Sequence, residues 1–288
     1  MKPLVFLCQP RYNAMIDSRA HRAFLSATRG ACNISFGTEK IGGSPMESQT
    51  SVLPQAFNAP WVMALNLRKY HSISEWAMLH ADIEAQYGWL DVLVAERRRL
   101  KCDILSVVVP FKVQTGITST AVGQKGWPLD AVDPAEKPKR LTMHEIYQLP
   151  RSFSIKEIPD SIMGPGKRED KILLVNTGCW VCDFSKPWVE KIVFRFHNWN
   201  YQDASGLWHT ACRSEDFDLS VQAARLGLSV YATTIVPVQH HGDAGYPNDQ
   251  PWGLQQTDDE FQAYAHANNL YESKPDVTGQ PVDELQHD

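Results

Sequence analysis

Three short polar clusters of this 288-residue chain combine residue types that can do chemistry. They are residues 80–82 (His-Ala-Asp), residues 214–216 (Ser-Glu-Asp) and residues 240–241 (His-His). Carboxylates and imidazoles are side chains that hold divalent cations and that take protons from hydroxyl groups. The clusters therefore indicate a metal site and an acid–base site, provided that the fold brings them together.

Asp82 and the two histidines are the candidate metal ligands. Asp82 follows the apolar run at residues 76–79, and a carboxylate at the end of a strand can hold Mg²⁺ or Mn²⁺. Such a cation could bridge two phosphates of a nucleotide, and one imidazole of His240 or His241 could complete its coordination. The spacing is also compatible with an Asp82 that caps the next turn and with histidines in an exposed loop.

Glu215 and Asp216 are the candidate acid–base residues. They open a helical pattern at residues 215–226 that Ser214 caps and Gly227 ends. A carboxylate at this place could deprotonate the hydroxyl group of an acceptor. Acidic residues at a helix start also stabilise the helix through its dipole, so the pattern leaves both roles open.

Apolar runs alternate with helical patterns along the chain, which predicts an α/β fold with a mainly parallel sheet flanked by helices in a single domain. The predicted strands are residues 4–8, 31–36, 74–79, 103–110, 171–175 and 228–238, and the predicted helices are residues 14–28, 56–70, 88–101 and 215–226. Ligands bind at the carboxyl ends of the strands in such sheets. Three polar clusters lie at predicted strand ends, namely His80/Asp82, Asn176/Gly178 and His240/His241.

The composition is that of an ordinary globular chain, with 43% hydrophobic and 21% charged residues, and it excludes a disordered or fibrous protein. No stretch approaches the roughly 20 apolar residues that cross a bilayer. The apolar start at residues 1–8 is too short for a signal peptide and lacks a small-residue cleavage site. We therefore expect a cytoplasmic protein with no membrane partner.

Charge is distributed unevenly along the chain. Residues 243–288 carry ten acidic residues and one basic residue, whereas the preceding part of the chain is mildly basic. We therefore expect a catalytic domain at residues 1–250 and an acidic C-terminal tail at residues 251–288 that is partly helical or flexible.

The order and spacing of these pieces resemble the GT-A fold glycosyltransferases, which use nucleotide-sugar donors, and in particular small bacterial and phage enzymes. The resemblance spans roughly residues 3–245. Residues 80–82 stand in the place of the family's Asp-x-Asp motif, residues 214–216 resemble its Glu-Asp motif, and residues 240–241 resemble its C-terminal metal histidine. The donor-binding residues that the resemblance implies are Pro10, Tyr12, Asn13, His80, Asp82, Asn176, Gly178 and Trp180.

The resemblance implies that the protein, with Mn²⁺ or Mg²⁺ as cofactor, moves a sugar from a nucleotide-diphosphate sugar to an acceptor hydroxyl. Asp82 and a histidine would bind the metal, Asp216 would act as the base, and Glu215 would bind the acceptor. A base at that place implies inversion at the sugar carbon. The chain departs from the family at His80, which replaces the first aspartate of the motif, so metal binding is carried over onto Asp82 alone.

The acceptor is open between two chemical classes. Some phage enzymes of this kind glycosylate hydroxymethylated pyrimidines in DNA, and the aromatic-rich segments at residues 180–188 and 199–208 suit a flipped base. Such a phage-encoded enzyme would act in the host cytoplasm. The same segments suit a glycan or a small molecule. A nucleotidyltransferase and a non-catalytic nucleotide-sugar-binding protein on a similar fold are the other functions that the sequence allows.

Four further residues could form a zinc site. Cys179-x-x-Cys182 and His209-x-x-Cys212 have spacings that suit structural zinc. The first pair directly follows an apolar strand, which is more typical of buried, reduced thiols.

The run Arg97-Arg98-Arg99 could bind phosphate. Consecutive residues point around a helix rather than along one face of it, which favours a solvated helix surface instead.

Overall fold

The computed structural model describes residues 2–11, 16–35, 47–49, 53–125, 138–203 and 205–253, which lie in the compact unit Met1–Gln255. They form a mixed α/β fold around one large, mostly parallel sheet. Residues 254–288, and with them most of the predicted tail, lie outside the described residues, as do the predicted donor residues Tyr12 and Asn13. Among the residues that are described, no helix is long and apolar enough to pass through a bilayer.

Strands and helices alternate along much of the chain. The strands are β1 (Leu4–Arg11), β2 (Asn33–Ser35), β3 (Glu47–Gln49), β4 (Glu75–Leu79), β5 (Ile83–Ala85), β6 (Ile104–Val107), β7 (Ile117–Gln124), β8 (Lys139–Thr142), β9 (Ser152–Phe153), β10 (Lys171–Leu174), β11 (Cys179–Asp183), β12 (His197–Gln202), β13 (Trp208–Arg213), β14 (Val230–Thr233), β15 (Val238–His241) and β16 (Gly245–Pro247). The helices are α1 (Ser18–Ser26), α2 (Leu53–Leu67), α3 (Trp89–Leu100), α4 (Met143–Ile146), α5 (Asp160–Met163) and α6 (Glu215–Arg225).

The large sheet has the strand order β2-β1-β4-β11-β6-β14-β9, and β3 is a further partner of β1. β2, β1, β4, β6 and β14 run in one direction, whereas β11 runs antiparallel between β4 and β6. The carboxyl ends of β4 and β6 therefore share one edge of the sheet with the beginning of β11. This edge gathers side chains from three distant parts of the sequence.

Smaller sheets surround that edge. β15 lies between β5 and β16, and both pairings are antiparallel. β7 lies between β10 and β8, again with antiparallel pairings. β12 and β13 form a two-stranded hairpin that leads into α6.

The central strands are buried on both faces, as expected for a sheet that is covered by other elements on each side. Every residue of β4 is buried. Successive side chains of a strand point to opposite faces, so Trp76 and Met78 join one apolar cluster while Ala77 and Leu79 join the other. Continuous apolar runs in the sequence are the signature of such strands.

The same alternation rules out the zinc interpretation for the first cysteine pair. Cys179 and Cys182 are three residues apart on β11, and they lie in different apolar clusters on opposite faces of the sheet. Burial raises the pKa of both thiols, so both stay protonated at neutral pH. Cys212 is exposed on the distant hairpin strand β13.

The four long helices match the helices predicted from the sequence to within about four residues, which is the usual uncertainty of helix ends. The predicted strand at residues 228–238 is instead two strands, β14 and β15, in different sheets. Pro237 lies between them, and proline cannot donate a hydrogen bond to a neighbouring strand. His240 and His241 consequently lie within β15, and not after the last strand of the main sheet.

The arginine run on α3 is divided between the interior and the surface, because Arg97 is buried whereas Arg98 and Arg99 are exposed. The guanidinium of Arg97 is buried, and its Nε and Nη2 donate to the two carboxylate oxygens of Glu75 at 2.7 and 2.8 Å. Arg98 donates to the same carboxylate at 2.8 Å. Arg99 pairs with Glu96. All three guanidinium groups of the run are therefore paired with carboxylates.

Replacing Arg97 with methionine should destabilise the protein by about 3 kcal/mol or more, because the fully buried Glu75 carboxylate loses its bidentate partner. Arg19→Met is the control, since Arg19 and its ion-pair partner Asp17 both reach solvent and such a pair contributes only about 0–1 kcal/mol. Urea unfolding measures both values. Equal effects of the two substitutions would contradict the assignment, and Glu75→Met combined with Arg97→Met should recover part of the loss.

Candidate functional site

Asp82 and His240 meet at the edge of the main sheet although 158 positions separate them in the chain. The chain turns after β4 through residues 80–82 and continues as β5, which pairs with β15 so that Ile83 lies opposite His240. The backbone N–H of His241 donates to the carbonyl oxygen of Asp82 at 2.8 Å and extends this pairing by one residue. The Nε2 atom of His240 lies 3.3 Å from Oδ2 of Asp82.

The hydrogen bonds of His240 define what can lie between these two atoms. Its Nδ1 lies 2.8 Å from the carbonyl oxygen of Pro110, which can only accept, so Nδ1 carries a proton. A neutral ring then presents an unprotonated Nε2 to an ionised carboxylate oxygen, and two acceptors repel each other. A second proton or a metal cation between Nε2 and Oδ2 removes this repulsion.

His241 does not join this pair, and its prediction as a metal ligand beside Asp82 is wrong for this structure. Its Nε2 lies 2.8 Å from a carboxylate oxygen of Glu84, and its side chain is almost completely buried. Consecutive residues of a strand point to opposite faces, so His240 and His241 cannot face the same carboxylate.

Lys112 is a cation that the sequence analysis missed. Its ammonium group donates to Oδ2 of Asp82 at 2.6 Å, and both side chains are more than one-third exposed. Burial raises the pKa of Asp82, but the hydrogen bond and charge of a doubly protonated His240, together with the hydrogen bond of Lys112, outweigh burial and hold that pKa well below its ordinary value. Asp82 is therefore ionised at neutral pH.

His80 lies in apolar surroundings beside this pair. Its ring packs against Phe57 with 5.3 Å between centroids, and its Nε2 is buried without a hydrogen-bond partner among the described residues. Burial lowers the pKa of His80 to about 4, so the ring is neutral at neutral pH. A neutral imidazole can donate a hydrogen bond to a hydroxyl group of a ligand or accept one from it, but it adds no charge to the site.

Asn176 and Gly178 shape the edge from the β11 side. The Asn176 amide donates to the carbonyl oxygen of Val107 at 2.7 Å and accepts from the backbone N–H of Gly178 at 2.9 Å. The carbonyl oxygen of Gly178 in turn accepts from the N–H of His80 at 2.8 Å. A Cβ atom at Gly178 would lie 2.5 Å from Cδ1 of Ile83, so a larger residue would require the Ile83 side chain to shift. Both residues therefore position the site.

Two of the other predicted donor residues are also buried. Trp180 is fully buried in an aromatic cluster, 4.7 Å from Trp76 and 6.1 Å from Trp61 between ring centroids. It is a core residue and offers no surface to a donor, which corrects the prediction. Pro10 is buried within β1, next to Gln9, whose amide links His21 to the carbonyl oxygen of His80.

Glu215 and Asp216 begin α6, as the sequence predicts. Ser214 Oγ and the backbone N–H of Phe217 both donate to Oδ1 of Asp216, and no hydrogen bond from a described residue reaches its Oδ2. Burial raises the pKa of Glu215 to about 8, with a further contribution from the negative charge of Asp216. Burial likewise raises the pKa of Asp216. Both carboxyl groups therefore hold protons more tightly than exposed ones do.

A stack of side chains connects the start of α6 to Lys112. The guanidinium of Arg140 lies over the ring of Phe111 at 4.6 Å and over the ring of Phe217 at 4.9 Å. Phe111 precedes Lys112, and Phe217 follows Asp216. The charge of Arg140 lowers the pKa of Asp216 and so works against burial. The stack links the acidic pair, through Arg140, to the segment that carries Lys112.

A divalent cation fits the Asp82–His240 pair. Two ligand atoms that are each about 2.1 Å from an octahedral cation lie about 3 Å apart, close to the observed separation of 3.3 Å. Among the described residues there is no group of three or more histidine, cysteine, aspartate or glutamate side chains that could hold a metal. The protein would therefore supply two ligands, and the remaining positions would be open to water and substrate oxygens.

Comparisons with known proteins give only distant structural likenesses. No family model and no curated protein matches the chain. The solved structure of A197 from STIV is 14% identical, covers 89% of this chain and 95% of its own, and has a TM-score of 0.44. Apo UDP-glucose pyrophosphorylase is 8% identical over 93% of this chain and 81% of its own, with a TM-score of 0.35. UDP-glucose pyrophosphorylase complexed with UDP-glucose is 10% identical, covers 94% of this chain and 98% of its own, and has a TM-score of 0.35. Likenesses of this size carry no argument about function.

The raised pKa of Glu215 predicts a measurable pH dependence of stability. The folded protein binds this proton more tightly than the unfolded chain, so the stabilisation is complete below pH 4.5 and is lost as the pH rises towards about 8. Glu215→Gln should remove this loss, and the variant should gain stability relative to the wild type as the pH rises. Urea unfolding between pH 4.5 and 8.5 measures it.

Glu169→Gln is the control, because Glu169 is exposed. A Glu215→Gln variant whose stability runs parallel to that of the wild type across this pH range would contradict the buried, protonated state of Glu215.

Proposed function

We propose that the protein is a metal-dependent glycosyltransferase of GT-A type that transfers a sugar from a nucleotide-diphosphate sugar to an acceptor hydroxyl. The observation that carries the proposal is the approach of His240 Nε2 to Asp82 Oδ2, with Nδ1 already bonded to Pro110. This pair lies at the carboxyl end of β4, where ligands bind in α/β sheets. The Glu215–Asp216 pair, which Arg140 links to the Lys112 segment, would supply the second half of the chemistry.

Asp82 and His240 are the residues that would hold Mn²⁺ or Mg²⁺. The bound cation supplies positive charge to the diphosphate leaving group. Lys112 forms its ion pair with the same Asp82 oxygen, and its partly exposed side chain can turn from that oxygen to a phosphate oxygen. The ammonium group then adds a second positive charge beside the leaving group.

Asp216 is the proposed base. Its Oδ1 is held by Ser214 and by the N–H of Phe217, which leaves Oδ2 to accept the proton of the acceptor hydroxyl. The acceptor oxygen forms a bond to the anomeric carbon of the sugar, and the bond from that carbon to the diphosphate breaks. The electron pair leaves with the diphosphate, and the configuration at the anomeric carbon is inverted. The neighbouring Glu215, protonated at neutral pH, can donate a hydrogen bond to the acceptor.

Asp82→Ala should abolish turnover of a sugar-nucleotide donor, and excess EDTA should do the same. His240→Ala should weaken Mn²⁺ binding by roughly tenfold or more, because it removes one of two protein ligands. His241→Ala is the matched control, since that side chain points to Glu84 and not to Asp82. Donor hydrolysis and Mn²⁺ titration measure these effects, and thermal unfolding of each variant checks the fold.

Full activity in excess EDTA would contradict the metal site. Equal loss of Mn²⁺ affinity in the two histidine variants would contradict the assignment of His240. Transfer of a nucleoside phosphate in place of a sugar would identify a nucleotidyltransferase. If Asp216→Asn leaves donor turnover intact, the proposed base is wrong.

A further inference from the structure

A cavity of about 450 Å³ opens beside the Asp82–His240 pair. It lies between the loop after β6 and the turn that carries β16. Its lining residues are Gln114, Ala244, Gly245, Tyr246, Pro247, Trp252 and Gly253. None of these side chains is charged, and two are large aromatic rings.

The two rings stand side by side in fixed positions. The centroids of Tyr246 and Trp252 are 5.8 Å apart, and the ring planes are inclined by 35°. The indole N–H of Trp252 donates to the carbonyl oxygen of Pro247 at 2.6 Å, which sets the orientation of the ring. A ring that is held before a ligand arrives loses little conformational freedom on binding.

Two glycines bring the walls of the cavity together. A Cβ atom at Gly116 would lie 2.2 Å from the carbonyl oxygen of Trp252, and one at Gly253 would lie 2.3 Å from the carbonyl oxygen of Thr115. Both glycines have positive φ angles, of 74° and 97°, which other residues rarely adopt. The close approach of the two backbones keeps Gln114 beside Trp252.

The loop that carries the rings is anchored in the protein interior. Asn248 is fully buried, and its side chain bonds to the backbone of Val108, Val236 and Val238 at 2.8 to 3.2 Å. The hydroxyl of Tyr147 donates to the carbonyl oxygen of Asn248 at 3.1 Å. These bonds make the cavity a preformed feature of the fold.

The cavity adjoins the proposed reaction site. Tyr246 is the cross-strand partner of His240 in the pairing of β15 with β16. Gln114 lies two residues beyond Lys112, in the segment that follows β6. β6 and β1, the strand of the predicted donor residue Pro10, lie on opposite sides of β4 in the sheet. If the donor lies over β1, as the proposed function requires, the cavity reached from the segment after β6 is left for the acceptor.

We propose that this cavity binds a neutral sugar ring of the acceptor. That the bound sugar belongs to the acceptor rests on the proposed function. The C–H groups on one face of a sugar ring are attracted to the electron-rich faces of aromatic rings, and the Gln114 amide can bond to sugar hydroxyls. A nucleic acid would need positive side chains at its phosphates. The loop at residues 243–253 instead carries Asp243 and Asp249 and no lysine or arginine.

Saturation-transfer NMR on the full chain tests the proposal directly. The probes are methyl glycosides of common hexoses and N-acetylhexosamines, disaccharides built from them, and a single-stranded oligonucleotide. Trp252→Ala should weaken sugar binding roughly three- to tenfold, whereas Trp252→Phe, which keeps an aromatic face, should retain most of it. Trp208→Ala is the matched control, because Trp208 is 71% exposed on the separate β12–β13 hairpin.

The proposal is supported if the sugar signals are reduced in Trp252→Ala and retained in Trp252→Phe and Trp208→Ala. The proposal is overturned if no sugar gives a signal, or if sugar binding is unchanged in Trp252→Ala. It is also overturned if the oligonucleotide binds and Trp252→Ala abolishes that binding. A separate titration with Mn²⁺ and a nucleoside diphosphate keeps the two proposals apart. If sugars bind at Trp252 but the nucleotide does not bind, the sugar site stands and the glycosyltransferase assignment fails.

Discussion

The pairing of β5 with β15 is the constraint on which the site depends. The chain leaves the centre of the main sheet at Leu79, turns through residues 80–82 and forms β5 at once, so Asp82 is fixed to the sheet edge. The register of β15 then decides which histidine faces it, because a shift by one residue would exchange His240 for His241. Asn248 bonds to the backbone of Val238 and thereby holds the start of β15 against the core.

The antiparallel strand β11 adds the second constraint. It begins at the edge where β4 and β6 end, so the turn at residues 176–178 packs directly against the turn at residues 80–82. Gly178 allows this close packing, because a side chain there would displace the end of the Ile83 side chain. The buried Glu75–Arg97 ion pair lies at the other end of β4, away from the chemistry. The buried ion pair and the proposed site thus lie at opposite ends of the same strand.

Much of this arrangement can be predicted from the sequence, because buried parallel strands are continuous apolar runs and long helices show clear periodicity. The α/β class, α3, α6 and the places of Asp82 and Glu215 follow from such local patterns. Long-range pairing does not. The split between β14 and β15 decides the direction of His241, and the insertion of β11 turns Trp180 from a predicted ligand contact into a core residue. Lys112 follows no motif, and only the folded chain places its ammonium group on Asp82.

The most direct test of the account is the identity of the nitrogen that binds the metal. Pulsed EPR of Mn²⁺ bound to the full chain, with ¹⁵N-labelled histidine, detects a histidine nitrogen in direct contact with the ion. The account predicts one such coupling, which is lost in His240→Ala and kept in His241→Ala. A wild-type protein without a histidine coupling, or a coupling that persists in His240→Ala, would contradict it.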